Sequence, residues 1–472
     1  MVRKLLSLSM LFALLAVLVP VAGAAPLKQG EEYTVTLGDW LSKIADKYYG
    51  DIFAWPAIFE ATNAKHAEDP SFAYIEDPNL IMPGWKLWIP PKEEAEAILK
   101  GRIVKGKLTV IGPWSGDEAK PFMPVLEAFT KKTGIEVEYR IYRSEDLGPL
   151  LPAQFEAKRS LGDVIFMAWP WWIKEKSEHL VDLTDLTEGI DFLIDPAAVD
   201  GKVYGVPSYL WVKPGFWYRK SFFEKHGLKP PTTWDEFLAL LDKLAAIPGV
   251  KNPIATGDEV GWPISDVTEH FLSTFGGTDL IADLIEGKVK WTDPKVKSIF
   301  AERIVPLLEK GYFSDPIEWT SALEMWWSGE YGIYFMGNWI TGMVEDPSDL
   351  GVFTLPGAEG VVGGSDWMFI PKYSERVDDA KEFVAFVISK EGMETRCKGG
   401  GKLSSRPDIS LDVYPPADRA IAEAAGTLKA LPDLDDTIGG DWQVAFWDQL
   451  KLLWVNPAAL DDVLKTLQEK MP

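Results

Sequence analysis

The chain has 472 residues, enough for two or three domains. Its 71 acidic residues outnumber the 48 Lys and Arg, and the net charge of −23 argues against nucleic acid or an anionic membrane surface as a partner. The 47% content of hydrophobic residues excludes a disordered chain, and the single cysteine excludes an intramolecular disulfide. We therefore expect well-packed domains in which Cys397 is a buried structural residue.

The first residues have the order of an export signal. Arg3 and Lys4 precede an apolar run at residues 5–19, and small residues at 22–24 follow it. We predict a signal peptide at residues 1–24, cleaved near Ala24, and a protein exported to the periplasm or the cell surface. Because no cysteine follows the apolar run and no later stretch is long enough to span a bilayer, we expect a soluble mature protein without a lipid anchor.

Residues 31–91 predict a small β-α-α-β module. Apolar residues alternate at positions 33–37, repeat at helical spacing over 41–48, and return in a second helix near Pro56. Asp39 is placed to cap the first helix. A last strand at residues 87–89 ends at two prolines.

This module resembles a LysM domain. The resemblance is carried by Tyr33-x-Val35, Gly38-Asp39, Ile44-Ala45, Trp55, Asn63, Ile81-x-Pro83-Gly84 and Leu87-x-Ile89-Pro90. It implies binding of N-acetylglucosamine-containing glycans, above all peptidoglycan, in a groove formed by Gly38, Asp39, Trp40, Asn79, Leu80 and Ile81. Residues 65–75 are an insertion relative to the family pattern, and a module that folds and spaces without binding glycan is the alternative. The charged, helix-prone residues 92–105 predict a linker.

Strands and helices alternate from residue 106 onward. KLTVIGPW begins with a strand, Ile135, Val137 and Tyr139 mark a second strand, and residues 163–167 form a short, fully apolar third. Strands that alternate with helices predict an α/β lobe with a mostly parallel sheet.

Residues 200–237 predict a crossover between two lobes. A hairpin-like piece at 201–206 is closed by Pro207, and an apolar run at 209–218 suits a buried strand. After a Pro-Pro break, Thr233 is expected to cap a helix.

The order of these signals resembles the extracytoplasmic solute-binding proteins of ABC importers, family 1, the carbohydrate-type group similar to maltose-binding protein. The resemblance implies a two-lobed α/β periplasmic-binding-protein fold of type II with a hinge. Lobe 1 would comprise residues 106–212 and 366–405, and lobe 2 would comprise residues 213–365 and 406–472. The implied function is capture of a sugar or oligosaccharide by a monomer that delivers it to membrane permease subunits.

Tryptophan is abundant, with 21 copies, and several fall at predicted strand ends or turns: Trp114, Trp169, Trp171, Trp262 and Trp339. An indole can cover the apolar face of a pyranose while polar groups bind its hydroxyls. Trp114 and Trp169 directly follow strands, where ligands of open α/β sheets lie. Trp171 and Trp262 fit packing beneath a loop equally well.

The resemblance extends the set of candidate residues. Trp339, in Gly337-Asn338-Trp339, matches a sugar-stacking Trp, Trp447 matches a second one, and Glu118 lies in a hydroxyl-binding turn. Lys213 stands next to the position where maltose-type members carry a carboxylate, so a maltodextrin specificity is not expected. The loop carboxylates Asp266 and Asp366 are further candidates to accept hydrogen bonds from hydroxyls.

Catalytic and cofactor signatures are missing from the sequence. The four His have no metal-ligand spacing, GGGK at 399–402 lacks the remaining glycine of a phosphate loop, and no G-x-S-x-G motif occurs. We predict a non-enzymatic protein without metal or cofactor. Two alternatives stay open: a glycoside hydrolase using Glu118 and Asp366, and a structural wall protein without a small-molecule pocket.

Overall fold

The computed structural model describes residues 30–472 except Leu37, Glu76, Asp77, Asn79, Lys105, Gly106 and Glu259. The signal peptide predicted at residues 1–24 lies outside this part of the chain. The chain divides into two compact units between Gly106 and Lys107. Within the described ranges, no helix combines the length and the apolarity that a membrane span requires.

The N-terminal unit has the predicted β-α-α-β order, followed by one more helix. Its elements are β1 (Glu31–Thr34), α1 (Leu41–Tyr49), α2 (Trp55–Glu68), β2 (Lys86–Ile89) and α3 (Lys92–Val104). The two strands pair antiparallel, with Glu31 opposite Ile89. Ile44, Ile58 and Leu87 lie almost fully buried in the core between strands and helices.

Three local features of this unit differ from the predictions. The first strand ends at Thr34, short of the predicted residue 37. Asp39 does not cap α1, because its carboxylate accepts hydrogen bonds from the Tyr33 hydroxyl and from Thr36. The segment predicted as a linker forms α3, in which Ala95 is buried and Leu99 packs against the core of the unit.

The described residues of the second unit form twelve strands and eighteen α-helices. The strands are β3 (Leu108–Gly112), β4 (Val137–Ile141), β5 (Val164–Met167), β6 (Ala197–Val199), β7 (Lys202–Lys213), β8 (Phe216–Arg219), β9 (Asn252–Ala255), β10 (Tyr331–Phe335), β11 (Leu350–Phe353), β12 (Gly360–Phe369), β13 (Leu403–Ser404) and β14 (Lys429–Leu431). The helices are α4 (Gly116–Ala119), α5 (Met123–Thr133), α6 (Ser144–Glu156), α7 (Pro170–Glu175), α8 (Thr184–Thr187), α9 (Lys220–Lys225), α10 (Trp234–Ala245), α11 (Trp262–Gly276), α12 (Leu280–Ile285), α13 (Pro294–Ile299), α14 (Val305–Glu309), α15 (Trp319–Ser328), α16 (Val377–Val387), α17 (Lys390–Cys397), α18 (Pro416–Ala425), α19 (Leu434–Ile438), α20 (Gly440–Val455) and α21 (Leu460–Lys470).

The first lobe contains the larger sheet, in the order β13-β7-β12-β5-β3-β4. β3 pairs parallel with β4 and β5, whereas β12 pairs antiparallel with β5 and β7. Val110, Phe166 and Met368 have no exposed surface, because helices cover both faces of this sheet. The arrangement aligns the carboxyl ends of β3, β4 and β5 along one edge.

The second lobe contains a four-stranded sheet in the order β11-β8-β10-β9. The chain enters this lobe through β7 and β8 and leaves it through β12. Helix α10 begins as predicted, because the Thr233 side chain accepts a hydrogen bond from the backbone N–H of Glu236.

The crossover strand corrects the prediction that Pro207 closes a hairpin. β7 continues from Lys202 to Lys213 through Pro207. Pro207 lies opposite Trp367, next to a register shift in β12, where a residue without an N–H is tolerated. One strand therefore extends from the first lobe to its junction with the second.

Candidate ligand-binding site

A cavity of about 110 Å³ lies between the two lobes of the second unit. One water molecule needs about 10–15 Å³ of cavity volume of this kind, so the cavity has room for several waters. Seven indoles line it: Trp114, Trp169, Trp211, Trp262, Trp319, Trp339 and Trp447. Both lobes therefore contribute flat aromatic surface to the wall.

Three parallel strands of the first lobe deliver side chains to one wall of the cavity. Trp114 follows β3, Arg143 follows β4 and Trp169 follows β5. This is the carboxyl edge at which ligands of open α/β sheets bind. Trp114 has no exposed surface and packs against Phe122 and Phe166, so its orientation is held by the core.

Charged side chains of the first lobe form two pairs at the cavity wall. The Lys402 Nζ lies 3.0 Å from Asp366 Oδ2, and both side chains are buried. Arg143 Nη2 lies 3.8 Å from Glu118 Oε2, which accepts no hydrogen bond from any described group. Burial raises the pKa of Glu118, although Arg143 opposes that rise. These groups offer donors and acceptors to a bound hydroxyl.

Lys213 is the last residue of the crossover strand, and its side chain contacts the second lobe. Its ammonium contacts the carboxylates of Asp266 and Asp433, and all three side chains are buried. Burial alone would lower the pKa of Lys213, but the two carboxylates raise it well above its usual value. Lys213 therefore stays charged and fixes two acidic groups of the second lobe in place.

The acidic corner, defined here as Asp435 and Asp436, continues this wall. Trp447 Nε1 donates to Asp435 Oδ2 at 2.6 Å, and the Gln443 amide donates to both carboxylates at 3.2 and 2.8 Å. Burial and the neighbouring Asp433 raise the pKa of Asp435 to about 6. The corner is thus a pre-oriented set of acceptors beside an indole.

Glu269, Asp433 and Asp435 are close enough to hold a cation, with one oxygen each within 4.8 Å of the others. Their oxygens already accept hydrogen bonds from Leu434 N–H and Ser265, and the Lys213 ammonium contacts Asp433. These partners satisfy the cluster with groups of the protein itself, and the absence of a metal stays a prediction.

Aromatic contacts across the cavity orient the remaining indoles. Trp262 meets Trp319 and Trp339 edge to face, with centroids 5.8 and 5.6 Å apart, and Trp211 meets Trp339 in the same way at 6.5 Å. Such pairs have defined geometry in addition to their buried area. The rings can thus present fixed stacking surfaces.

Nine of the ten residues predicted to bind ligand line this one cavity: Trp114, Glu118, Trp169, Lys213, Trp262, Asp266, Trp339, Asp366 and Trp447. Trp171 is the exception. It stacks on Trp169 with ring centroids 5.8 Å apart and lies outside the wall. Contact with a ligand stays a prediction for all ten residues.

The residues predicted to form the glycan groove lie in two adjoining loops of the N-terminal unit. Gly84 N–H donates to Val35 O at 2.8 Å and joins these loops. Trp40 and Leu80 expose 56% and 54% of their surface, whereas Asn79 lies outside the described residues. The others of the set, Gly38, Asp39 and Ile81, are exposed or half-buried. The LysM assignment stays a prediction.

Sequence reasoning missed eight wall residues that carry charge or an indole: Arg143, Glu145, Trp211, Trp319, Lys402, Asp433, Asp435 and Asp436. The strand-end rule that selected Trp114 would also have selected Arg143, which follows β4. The acidic run at 433–436 could have been recognised in the sequence, because it has the pattern of a helix start. Trp319, at the start of α15, had no such signal.

The family model for bacterial extracellular solute-binding proteins matches residues 113–394. The chain belongs to this family. Membership confirms the prediction of a binding protein that is not an enzyme, and the glycoside hydrolase alternative is therefore wrong. An uncharacterized ABC transporter extracellular-binding protein of Pyrococcus horikoshii is 54% identical over 372 residues, which are 77% of this chain and 88% of the relative.

Solved structures of other solute-binding proteins share the two-lobed fold. A chitin oligosaccharide binding protein superposes with a TM-score of 0.66 at 22% identity, over 77% of this chain and 97% of its own. A bacterial solute receptor with a preference for β-D-galactopyranose gives 0.69 at 19% identity, over 77% and 98%. At these identities the likeness shows the fold alone, and the predicted two-lobed α/β architecture is confirmed.

Proposed function

We propose that this member of the family captures a sugar or oligosaccharide for an ABC importer. The observation that carries the proposal is the cavity between the two lobes, lined by seven indoles and by charged side chains. Indoles cover the apolar faces of sugar rings, and the polar groups between them bind hydroxyls. The sugar ligands named for the two solved structures are consistent with this chemistry.

Ligand binding stabilises a closed arrangement of the two lobes. Because only the closed state contacts the ligand from both sides, binding shifts the equilibrium toward it. The protein's partners in the membrane would be permease subunits that recognise this closed form. The name of the Pyrococcus relative supports that partnership.

Calorimetry with a panel of neutral and substituted sugars tests the proposal. We expect at least one sugar to bind stoichiometrically and without conversion. Trp262→Ala should weaken that binding by about tenfold, because stacking and burial of an aromatic ring contribute more than about 1.4 kcal/mol. The matched control is Trp327→Ala, which removes another half-buried indole that lies outside the cavity wall. An equal effect of the two substitutions would contradict a sugar site in this cavity.

Export is the second element of the proposal. Residues 1–24 would direct the chain across the membrane and be removed near Ala24. Intact mass measurement of the protein recovered from its producing cells tests this step. A retained first residue, or a lipid mass on the mature chain, would contradict it.

We also propose that the N-terminal unit attaches the protein to a cell-wall glycan. The antiparallel pairing of β1 with β2 and the exposed Trp40 beside Gly38 support this role. A truncated chain beginning at Lys107 should keep its sugar affinity and lose sedimentation with peptidoglycan or chitin. Trp40→Ala in the full chain should weaken that sedimentation, and Tyr74→Ala, which removes another exposed aromatic of the unit, is its control.

A further inference from the structure

The cavity wall carries a surplus of negative charge. Seven carboxylates line it, from Glu118, Glu145, Asp266, Asp366, Asp433, Asp435 and Asp436. Only three cationic groups, Arg143, Lys213 and Lys402, face them, which leaves a surplus of four carboxylates when all are ionised. A neutral sugar does not require such an excess, because one or two acceptors per hydroxyl suffice.

The surplus is concentrated at the acidic corner. Lys402 is paired with Asp366, Arg143 is nearest to Glu118, and Lys213 contacts Asp266 and Asp433. Within the described part of the chain, no Lys or Arg lies within ion-pair distance of Asp435, Asp436 or Glu145. Their hydrogen-bond donors include neutral groups such as the Gln443 amide and the Trp447 indole. Asp435 is buried and Asp436 and Glu145 are half-buried, and carboxylates removed from water without a counter-charge are costly in free energy.

The indoles beside this corner are open to a cation from the ligand. Protein cations already lie over Trp211, Trp319 and Trp339, at 4.9, 5.2 and 5.8 Å from the ring centroids. In contrast, no cation of the described residues lies over Trp169, Trp262 or Trp447. An indole face attracts ammonium groups, and an indole N–H that donates to a carboxylate makes the ring more electron-rich. Trp447 combines both properties next to Asp435.

We propose that the ligand is an amino sugar whose protonated amine binds between Asp435, Asp436 and the indole of Trp447. This inference rests on the proposed sugar-binding function and specifies its substrate class. The ammonium supplies the missing counter-charge, while the sugar ring stacks on the other indoles. N-acetylation removes the charge, so the acetylated sugar should bind less tightly. The raised pKa values of Asp435 and Asp436 agree with carboxylates that lack a cationic partner in the empty site.

Matched sugars separate this inference from the function on which it rests. Each set contains a neutral sugar, its amino form and its N-acetylated amino form: glucose with glucosamine and N-acetylglucosamine, the galactose series, and cellobiose with the two forms of chitobiose. Calorimetry near neutral pH should give, in at least one set, an affinity for the amino form at least about tenfold above both others. Equal or tighter binding of the neutral or acetylated form overturns the inference and leaves sugar binding intact. Binding of spermidine alone, or of no ligand, overturns both.

Charge-neutralising variants locate the ammonium. Asp436→Asn should weaken binding of the amino sugar by about tenfold and leave the affinity for its neutral counterpart within about twofold. Glu145→Gln serves as a second variant should Asp436→Asn fold poorly in a thermal melt. Asp462→Asn is the control, since it removes one exposed carboxylate on α21, outside the cavity wall. An unchanged preference for the amine in both Asp436→Asn and Glu145→Gln would contradict the assignment.

Discussion

The indole of Trp171 packs directly against the backbone of Gly439, so that a Cβ at position 439 would overlap the ring. Trp171 belongs to α7 of the first lobe, and Gly439 caps α20 of the second. The two lobes therefore meet at a point where only a glycine allows the approach. Trp171, whose contact with a ligand stays a prediction, thus forms part of a contact between the two lobes.

Gly439→Ala should hold the lobes apart and weaken ligand binding by about tenfold or more, because the closed state then carries the clash. Both Gly439 and Gly440 have positive φ, 70° and 59°, but a Cβ at 440 meets no atom within 4 Å. Gly440→Ala therefore places a Cβ at a positive φ without the clash, whereas Gly439 lies at φ 70° and ψ −165°, a region that essentially only glycine adopts. Calorimetry and X-ray scattering on both variants test this. Equal losses of affinity, or a scattering radius of Gly439→Ala with ligand equal to that of the parent protein, would show that lobe contact is not responsible.

Arg143→Ala should also favour the open state. The Arg143 guanidinium in the first lobe lies 5.2 Å from the centroid of Trp319 in the second. Such an interaction contributes about 0.5–2 kcal/mol, so the substitution should lower ligand affinity by about two- to thirtyfold. Arg140→Ala is the control, because Arg140 pairs with Glu138 inside the first lobe. An equal loss of ligand affinity in Arg143→Ala and Arg140→Ala would show that the interlobe contact is not the cause of the loss.

Trp339→Ala tests the stacking surface in the second lobe. The ring is 91% buried, lines the cavity and packs against Trp211 and Trp262, so both ligand affinity and the melting temperature should fall. We expect an affinity loss of about thirtyfold, corresponding to roughly 2 kcal/mol. Trp326→Ala should lower the melting temperature and leave the affinity unchanged, since Trp326 is buried outside the cavity. Normal binding by Trp339→Ala would make Trp339 a core residue only.

His270 should make the protein less stable in acid. The ring is buried, and its Nε2 accepts a hydrogen bond from the Leu355 N–H at 3.0 Å, which requires a neutral imidazole. Burial lowers the pKa of His270 from 6.5 to about 3. Between these values the unfolded chain binds a proton that the folded chain does not. The free energy of unfolding therefore falls as the pH drops, by up to about 1.4 kcal/mol per pH unit.

Urea unfolding at several pH values checks the contribution of His270. In His270→Gln, the dependence on pH between 6.5 and 3 should become flatter than in the parent protein. His226→Gln controls for the loss of one imidazole. If the free energy of unfolding depends on pH equally in the parent protein and in His270→Gln, the loss of stability in acid does not come from His270.

Local patterns were sufficient to predict much of this architecture. Apolar strands followed by helices predicted β3 and β5, and the rule that ligands lie beyond strand ends placed Trp114 and Trp169 at one edge. The Thr233 cap was also visible, because its hydrogen bond spans only three residues. Each of these features depends on neighbours in the sequence or on a general property of parallel sheets.

The sequence by itself thus determined the fold class, the family and nine residues of the cavity wall. Only the tertiary structure decided how those residues meet. Lys213 and Asp433 are 220 positions apart, and their ion pair exists because the crossover strand ends where α19 begins. The same holds for Trp171 and Gly439. Burial and pairing of this kind arise only when distant segments pack against each other. A local pattern of charge or hydrophobicity therefore does not predict which carboxylate is paired with a cation and which is not.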